Sequence, residues 1–174
     1  MSLAIADNAR KMQQRQSEAE YESTHDEMTG MLNKNMYLKM IKSQYPKVKD
    51  IGVVYFDVNG LKKINDNLGH EMGDLLIEMA AKTLLYFKSE KNKVYRMGGD
   101  EFVLVMEDGS EERIEKLLAS WKKLLDAMNS EMFDFKCEMA YGYAVGKGKD
   151  IEILVEKADE KMYEKKIEMK GEAR

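Results

Sequence analysis

Residues 51–58 form one continuous apolar, β-branched and aromatic run, the pattern of a strand buried on both faces, with Asp57 near its end. A carboxylate there is costly unless a cation or hydrogen bonds meet it. Two further β-type runs flank Gly98-Gly99-Asp100-Glu101, which predicts a hairpin whose turn can adopt φ > 0 and whose two acids follow at once. Elsewhere the period is that of helices. Residues 59–70 read as a short helix closed by Gly69, with His70 a structural residue at the junction. Residues 71–87 follow as an amphipathic helix packing through Leu75, Leu76, Met79, Ala80, Thr83 and Leu84. A third helix spans 111–128, with Ile114, Leu117, Leu118, Trp121, Leu124 and Leu125 on its apolar side, and the last covers 151–169. Residues 133–145 supply one more strand, with a bulge around Gly142.

Ahead of these lies a turn over 26–34 and a helix carrying Met36, Leu38, Met40 and Ile41 toward Pro46. The order βααββαβα with a central hairpin predicts an α+β fold: a mainly antiparallel sheet flanked by helices, of the ferredoxin-like or polymerase-palm kind. Strand order does not follow from this pattern. Residues 1–25 have no Gly or Pro and little apolar face, so they read as a polar helical leader, and 26–174 as the domain proper. Ile5, Met12 and Ala19 recur every seven residues, but Ala9, Gln16 and Ser23 are poor seam residues for a coiled-coil stalk. Such a leader is what the output end of a longer sensor protein would show.

Composition narrows the function. At 174 residues, 44% hydrophobic and 34% charged, the chain suits one globular domain. A net charge of −4 gives no overall basic field for nucleic acid or a membrane surface, so an anionic substrate must be met by a local cluster. The single cysteine, Cys137, excludes an internal disulfide; in its apolar run it reads as a buried, inert thiol in a reducing compartment. No apolar run approaches the roughly 18 residues that span a bilayer, and a cytoplasmic setting is expected. Fifteen methionines are many, and their helical spacing marks them as core filling.

Asp57 and Asp100 become chemically interesting if their strands are neighbours. Two bare carboxylates a few ångströms apart raise one another's pKa, so the pair is best tolerated around a cation, and hard oxygen ligands beside a phosphate suit Mg²⁺. On the acids alone, a turn cap at Asp57 and a solvated hairpin at Asp100 remain the commoner explanation. Lys166 and Lys170, four apart on the last helix, can reach in one direction, although a C-terminal lysine pair more often only complements the helix dipole.

The run Gly98-Gly99-Asp100-Glu101-Phe102 spells the signature of the GGDEF family, and the chain resembles the catalytic domain of diguanylate cyclases. The resemblance extends from Asp26 to Lys170 through five motifs in order. Asp26-Glu27-Met28-Thr29-Gly30-Met31-Leu32-Asn33-Lys34 is similar to the family's opening motif, with Met28 for Leu and Lys34 for Arg. The resemblance implies that Asp57, Asp100, Glu101 and the Val58 carbonyl bind two Mg²⁺ per active site, with Mn²⁺ as a substitute. It implies that Glu101 is a metal ligand or the base toward a ribose 3′-OH. Asn65 and Asp74 fall at guanine-contacting positions; one carboxylate accepts guanine's two adjacent N–H groups, whereas adenine would leave it unpaired. Lys62, Lys166, Lys170 and the backbone near Gly98 and Gly99 fall near the phosphates. Lys170 stands where Arg is usual and loses the bidentate fork. Asn59 replaces a common Asp, and the Arg-x-x-Asp product-inhibition site reads Ser89-Glu90-Lys91-Asn92, so feedback through it is not expected.

The function thus implied is condensation of two GTP into cyclic di-GMP with release of two pyrophosphates, by two-metal phosphoryl transfer across a homodimer. The implied partners are GTP, a second subunit and an upstream sensor, the domain touching neither nucleic acid nor membrane. The alternative is a weak or inactive GTP-binding signalling module, kept open by Lys34, Asn59 and Lys170.

Overall fold

The computed structural model describes residues 3–132 and 135–172. In chain order its elements are α1 (Leu3–Thr24), β1 (Leu32–Asn33), α2 (Lys34–Ser43), β2 (Ile51–Val58), α3 (Leu61–Leu68), α4 (His70–Leu85), β3 (Asn92–Gly98), β4 (Glu101–Glu107), α5 (Glu111–Ser130), β5 (Met139–Gly146) and α6 (Ile151–Glu172). The strands form one sheet in the order β1-β3-β4-β2-β5. Among the described residues only the β1–β3 pair is parallel; β2 runs antiparallel to both its neighbours, β4 and β5. The fold is the α+β arrangement that the pattern predicts, with helices on both faces of the sheet.

Strand alternation sorts the core into two layers. Val54, Phe56 and Val58 of β2, with Phe102 and Leu104 of β4, face α4 and α5 and pack on Leu76, Leu84, Ile114 and Trp121. Val53 and Tyr55, with Val103 and Val105, face α2 and α6 and pack on Tyr37, Ile41, Leu154, Ala158 and Met162. Among the described residues six methionines, including Met31, Met79 and Met162, are buried filling, while Met12 and Met28 are exposed. Cys137 is buried and unpaired, and burial, then Glu138, pushes its thiol up to about 12.

Helix ends follow from local chemistry. Asn33 caps α2 by accepting from the Met36 N–H at 2.9 Å, and Ser110 caps α5 by accepting from Arg113. Gly69, at φ 91°, ends α3 and lets α4 begin at once, which few other residues could do.

Four expectations need correction. The strand expected over 133–145 begins only at Met139. Phe133 and Asp134 lie outside the described residues; just beyond them, the Asn129 side chain bonds both the N–H and the C=O of Cys137 at 2.8 Å, replacing a strand partner. No bulge interrupts β5 at Gly142, whose register with β2 is unbroken from Ile51↔Gly146 to Val58↔Met139. The irregularity lies instead between Arg96 and Gly98, before the turn. That turn needs no positive φ at Gly98 or Gly99; the glycines that adopt it are Gly30, Gly60 and Gly69. Finally, Leu75 is exposed and Ile77 takes its expected place in the α4 core.

Leu3–Thr24 form a helix on which Ile5 and Met12 are both exposed. It is tied to the domain where Asn33 Nδ2 donates to the Ser23 carbonyl at 3.0 Å.

Candidate active site

The sheet brings the two most informative acids together by register. Asp57 of β2 is the direct partner of Glu101 of β4, and the Val58 N–H donates to the Asp100 carbonyl at 2.9 Å. By alternation Asp57 follows Tyr55 and Glu101 precedes Val103 on the face that α6 covers. Asp57 is 5% exposed, and Lys166 of α6 reaches down to donate to its Oδ1 at 2.5 Å. Burial pushes the Asp57 carboxyl above its ordinary range; the Lys166 hydrogen bond opposes this and Asp100 adds to it. Burial also raises Glu101, helped by the negative charges of Asp57, Asp100 and Asp159. These acids repel one another and would be relieved by a cation.

The helix comes this close because of a glycine. A Cβ on Gly142 would lie 2.3 Å from the Met162 nitrogen and 2.4 Å from the Ala158 oxygen, so β5 and α6 meet backbone to backbone. That contact lowers the last turns of α6, with Lys166 and Lys170, toward the strand ends.

Beside the acids opens a cleft of about 1050 Å³ between the β2–α3 turn, the segment around Phe135 to Glu138, and the end of α6. Of the residues the sequence singles out, Val58, Lys62, Asp100, Lys166 and Lys170 line it. Lys63 and Lys136, which the sequence reading passed over, add two more cations, so a locally basic cleft sits on an acidic protein. Asn59 also faces it, donating to Met169 Sδ at 3.5 Å while its buried Oδ1 has no partner.

Asn65 and Asp74 lie on α3 and α4, outside the residues lining the cleft. Asp74 is exposed, whereas Asn65 Oδ1 is buried without a partner, and a Cβ on Gly73 would come within 1.8 Å of it. Gly98 and Gly99 make the exposed turn, and a Cβ on Gly99 would meet nothing within 4 Å.

The sequence assigns no role to two further contributors. Arg96 donates through Nη1 to Asp26 Oδ1 at 3.0 Å and through Nη2 to the Gly99 carbonyl at 2.9 Å, tying the opening turn to the hairpin. Thr29 donates to the same Asp26 oxygen at 2.7 Å, and against the cost of burial these partners hold Asp26 below its ordinary value. Asp159, on α6, acts electrostatically on both Tyr55 and Glu101. Nothing in the local sequence marks Arg96, whereas Asp159 stands seven residues before Lys166 and so on the same face of α6.

Among the described residues, no three His, Cys, Asp or Glu side chains come together closely enough to hold a metal ion by themselves. The donor set still fits Mg²⁺, which is commonly held by one or two carboxylates while phosphate oxygens and waters complete its shell. Asp57, Asp100 and Glu101 are the carboxylates that would hold it.

The family model for the GGDEF domain of diguanylate cyclases matches residues 23–172. The chain belongs to the GGDEF family. Among relatives, it is 28% identical over 150 residues to the diguanylate cyclase DgcN of Escherichia coli, covering 82% of this chain and 36% of DgcN. It is also 28% identical over 122 residues to the cyclic di-GMP phosphodiesterase PdeB of Shewanella oneidensis, covering 70% of this chain and 14% of PdeB. The chain thus spans about a third or less of these relatives. The coiled coil and GGDEF domain of DgcB from Caulobacter crescentus, solved with c-di-GMP, superimposes with a TM-score of 0.79 at 16% identity, over 92% of this chain and 89% of that one. That likeness establishes the GGDEF fold. Among the described residues no helix is long and apolar enough to cross a membrane.

Proposed function

We propose that this GGDEF domain is a diguanylate cyclase that joins two GTP into cyclic di-GMP and releases two pyrophosphates. The observation that carries the reading is the registered pair Asp57–Glu101, with Asp57 buried and bonded by Lys166, at the edge of a lysine-lined cleft. Carboxylates placed to hold a hard cation beside lysines placed to hold phosphates are what transfer of a nucleotidyl group requires.

In this reading Lys62, Lys166 and Lys170 bind the triphosphate, and Asn65 and Asp74 select guanine from α3 and α4. Each 3′-oxygen attacks the α-phosphorus of the other nucleotide, the bond to the β-phosphate breaks, and pyrophosphate leaves. Glu101, raised above the ordinary carboxylate range by burial and its acidic neighbours, takes the proton from the 3′-OH or holds the cation that acidifies it. Mg²⁺, when bound, would neutralise charge on the phosphoryl oxygens and lower the pKa of the hydroxyl. One subunit carries one such site, so ring closure calls for two facing each other.

A second reading, a GTP-binding module with little turnover, is favoured by the match to PdeB and by Lys170 where the family usually has Arg. The two differ in kinetics. A cyclase shows turnover per subunit that rises with protein concentration and is lost in Asp57→Ala, while GTP binding without turnover at any concentration supports the module. Turnover per subunit constant down to dilutions at which the protein is monomeric would contradict the paired-subunit mechanism.

A further inference from the structure

We propose that Lys166 is the resident counter-cation of Asp57 before a metal binds, and that a divalent cation must displace it, so that metal and triphosphate load together. The inference rests on the reading that Asp57 holds a metal, and it adds a role for Lys166 distinct from holding phosphate.

The geometry points to an exchange of cations. The Lys166 ammonium sits 2.5 Å from Asp57 Oδ1, on a side chain that is 22% exposed against 7% for its partner. A hard cation bound to that oxygen at roughly 2.1 Å would occupy the space in front of it, and ammonium and metal cannot share the place. An unpaired charge on Asp57 is costly, because the residue is 5% exposed and its strand partner is another carboxylate, Glu101. Lys166 has somewhere to go: it lines the cleft with Lys170, Lys62 and Lys63, where the phosphates would lie. A triphosphate offers the ammonium a new anion at the moment the metal takes the old one. Metal arriving alone offers it nothing.

The test uses Mn²⁺ as the probe, followed by electron paramagnetic resonance without nucleotide. Lys166→Met should bind Mn²⁺ about five- to tenfold more tightly than the wild type while binding GTP with Mn²⁺ more weakly. Lys166→Arg, which keeps a cation over Asp57, should stay close to the wild type for Mn²⁺ alone. Unchanged or weaker Mn²⁺ binding in a folded Lys166→Met protein would overturn the proposal. Should that variant fail to fold, acetylation of wild-type lysines resolved by peptide mass spectrometry decides. Mn²⁺ at a concentration that saturates the wild type without nucleotide, as read by electron paramagnetic resonance, should then raise the reactivity of Lys166 relative to Lys63, and an unchanged ratio at saturation overturns the exchange. Tighter Mn²⁺ binding by Lys166→Met in a domain that makes no cyclic di-GMP would support the exchange and remove only the cyclase reading.

Discussion

Gly142 of β5 lies so close to Met162 of α6 that a methyl group on the strand would sit 2.3 Å from the helix backbone. The helix that supplies Lys166 and Lys170 is therefore positioned by the absence of a side chain on the strand beneath it. Gly142→Ala should push α6 outward at a cost of about 1–3 kcal/mol, since backbone atoms have no rotamer to yield. Urea unfolding should show the loss, and GTP affinity should fall with it because the lysines move away from the acids. Retained stability and affinity would mean that α6 is placed by other contacts.

Asp57 and Glu101 predict a pH dependence of definite sign. Both carboxyls are raised in the folded domain, above reference values of 3.8 and 4.5. The folded state therefore holds more protons than the unfolded chain, and their contribution to stability falls as pH rises from those reference values through the raised ones. Glu101→Gln removes this at neutral pH, so its melting temperature should exceed that of the wild type at pH 7.5, and the gain should shrink toward pH 4. Turnover should fall by about 10²-fold or more in the same variant, because the amide neither accepts a proton nor holds a cation well. A Glu101→Gln protein that melts below the wild type at pH 7.5 would contradict this electrostatic account.

Arg96 joins Asp26 to the Gly99 carbonyl. Arg96→Met should cost about 1–3 kcal/mol, as expected for charge-assisted hydrogen bonds lost from a partly buried site. It should also lower turnover without replacing any residue of the acid cluster. Thermal melts and rates at saturating GTP check both; a variant with normal stability would show that the opening turn and the hairpin are held together otherwise.

Far from the cleft, Trp121 Nε1 donates to Thr83 Oγ1 at 3.0 Å in the buried layer between α4 and α5. Thr83→Val keeps the shape and leaves the indole N–H unpaired, at a cost of about 1–3 kcal/mol. The midpoint of denaturant unfolding should fall with GTP affinity unchanged.

Much of the fold was legible because its signals are local. The run that became β2 is apolar at nearly every position, and α5 shows its buried face in Ile114, Leu118 and Trp121. What was missed depends on contacts between distant segments. β1 is two residues long and too short to show a period, and the segment after α5 looks like strand yet is paired by the side chain of Asn129. Gly142 read as a bulge because a glycine in a strand announces a close approach without saying from which side. In the site, Asp57, Asp100 and Glu101 were visible as acids at strand ends, but their register, and the descent of Lys166 onto Asp57, exist only once β2, β4 and α6 are assembled. Arg96 was invisible for a like reason, since its carboxylate partner Asp26 lies on the opening turn, seventy residues away.

The central claim is that this cleft and its acids make cyclic di-GMP, and mass spectrometry of the products tests it most directly. Concentrated protein is incubated with Mg²⁺ and either GTP or ATP, with Asp57→Ala in parallel. The account predicts cyclic di-GMP and pyrophosphate from GTP, no cyclic product from ATP, and none from the variant. No product from the wild type, together with no GTP binding in the presence of Mg²⁺, would contradict it.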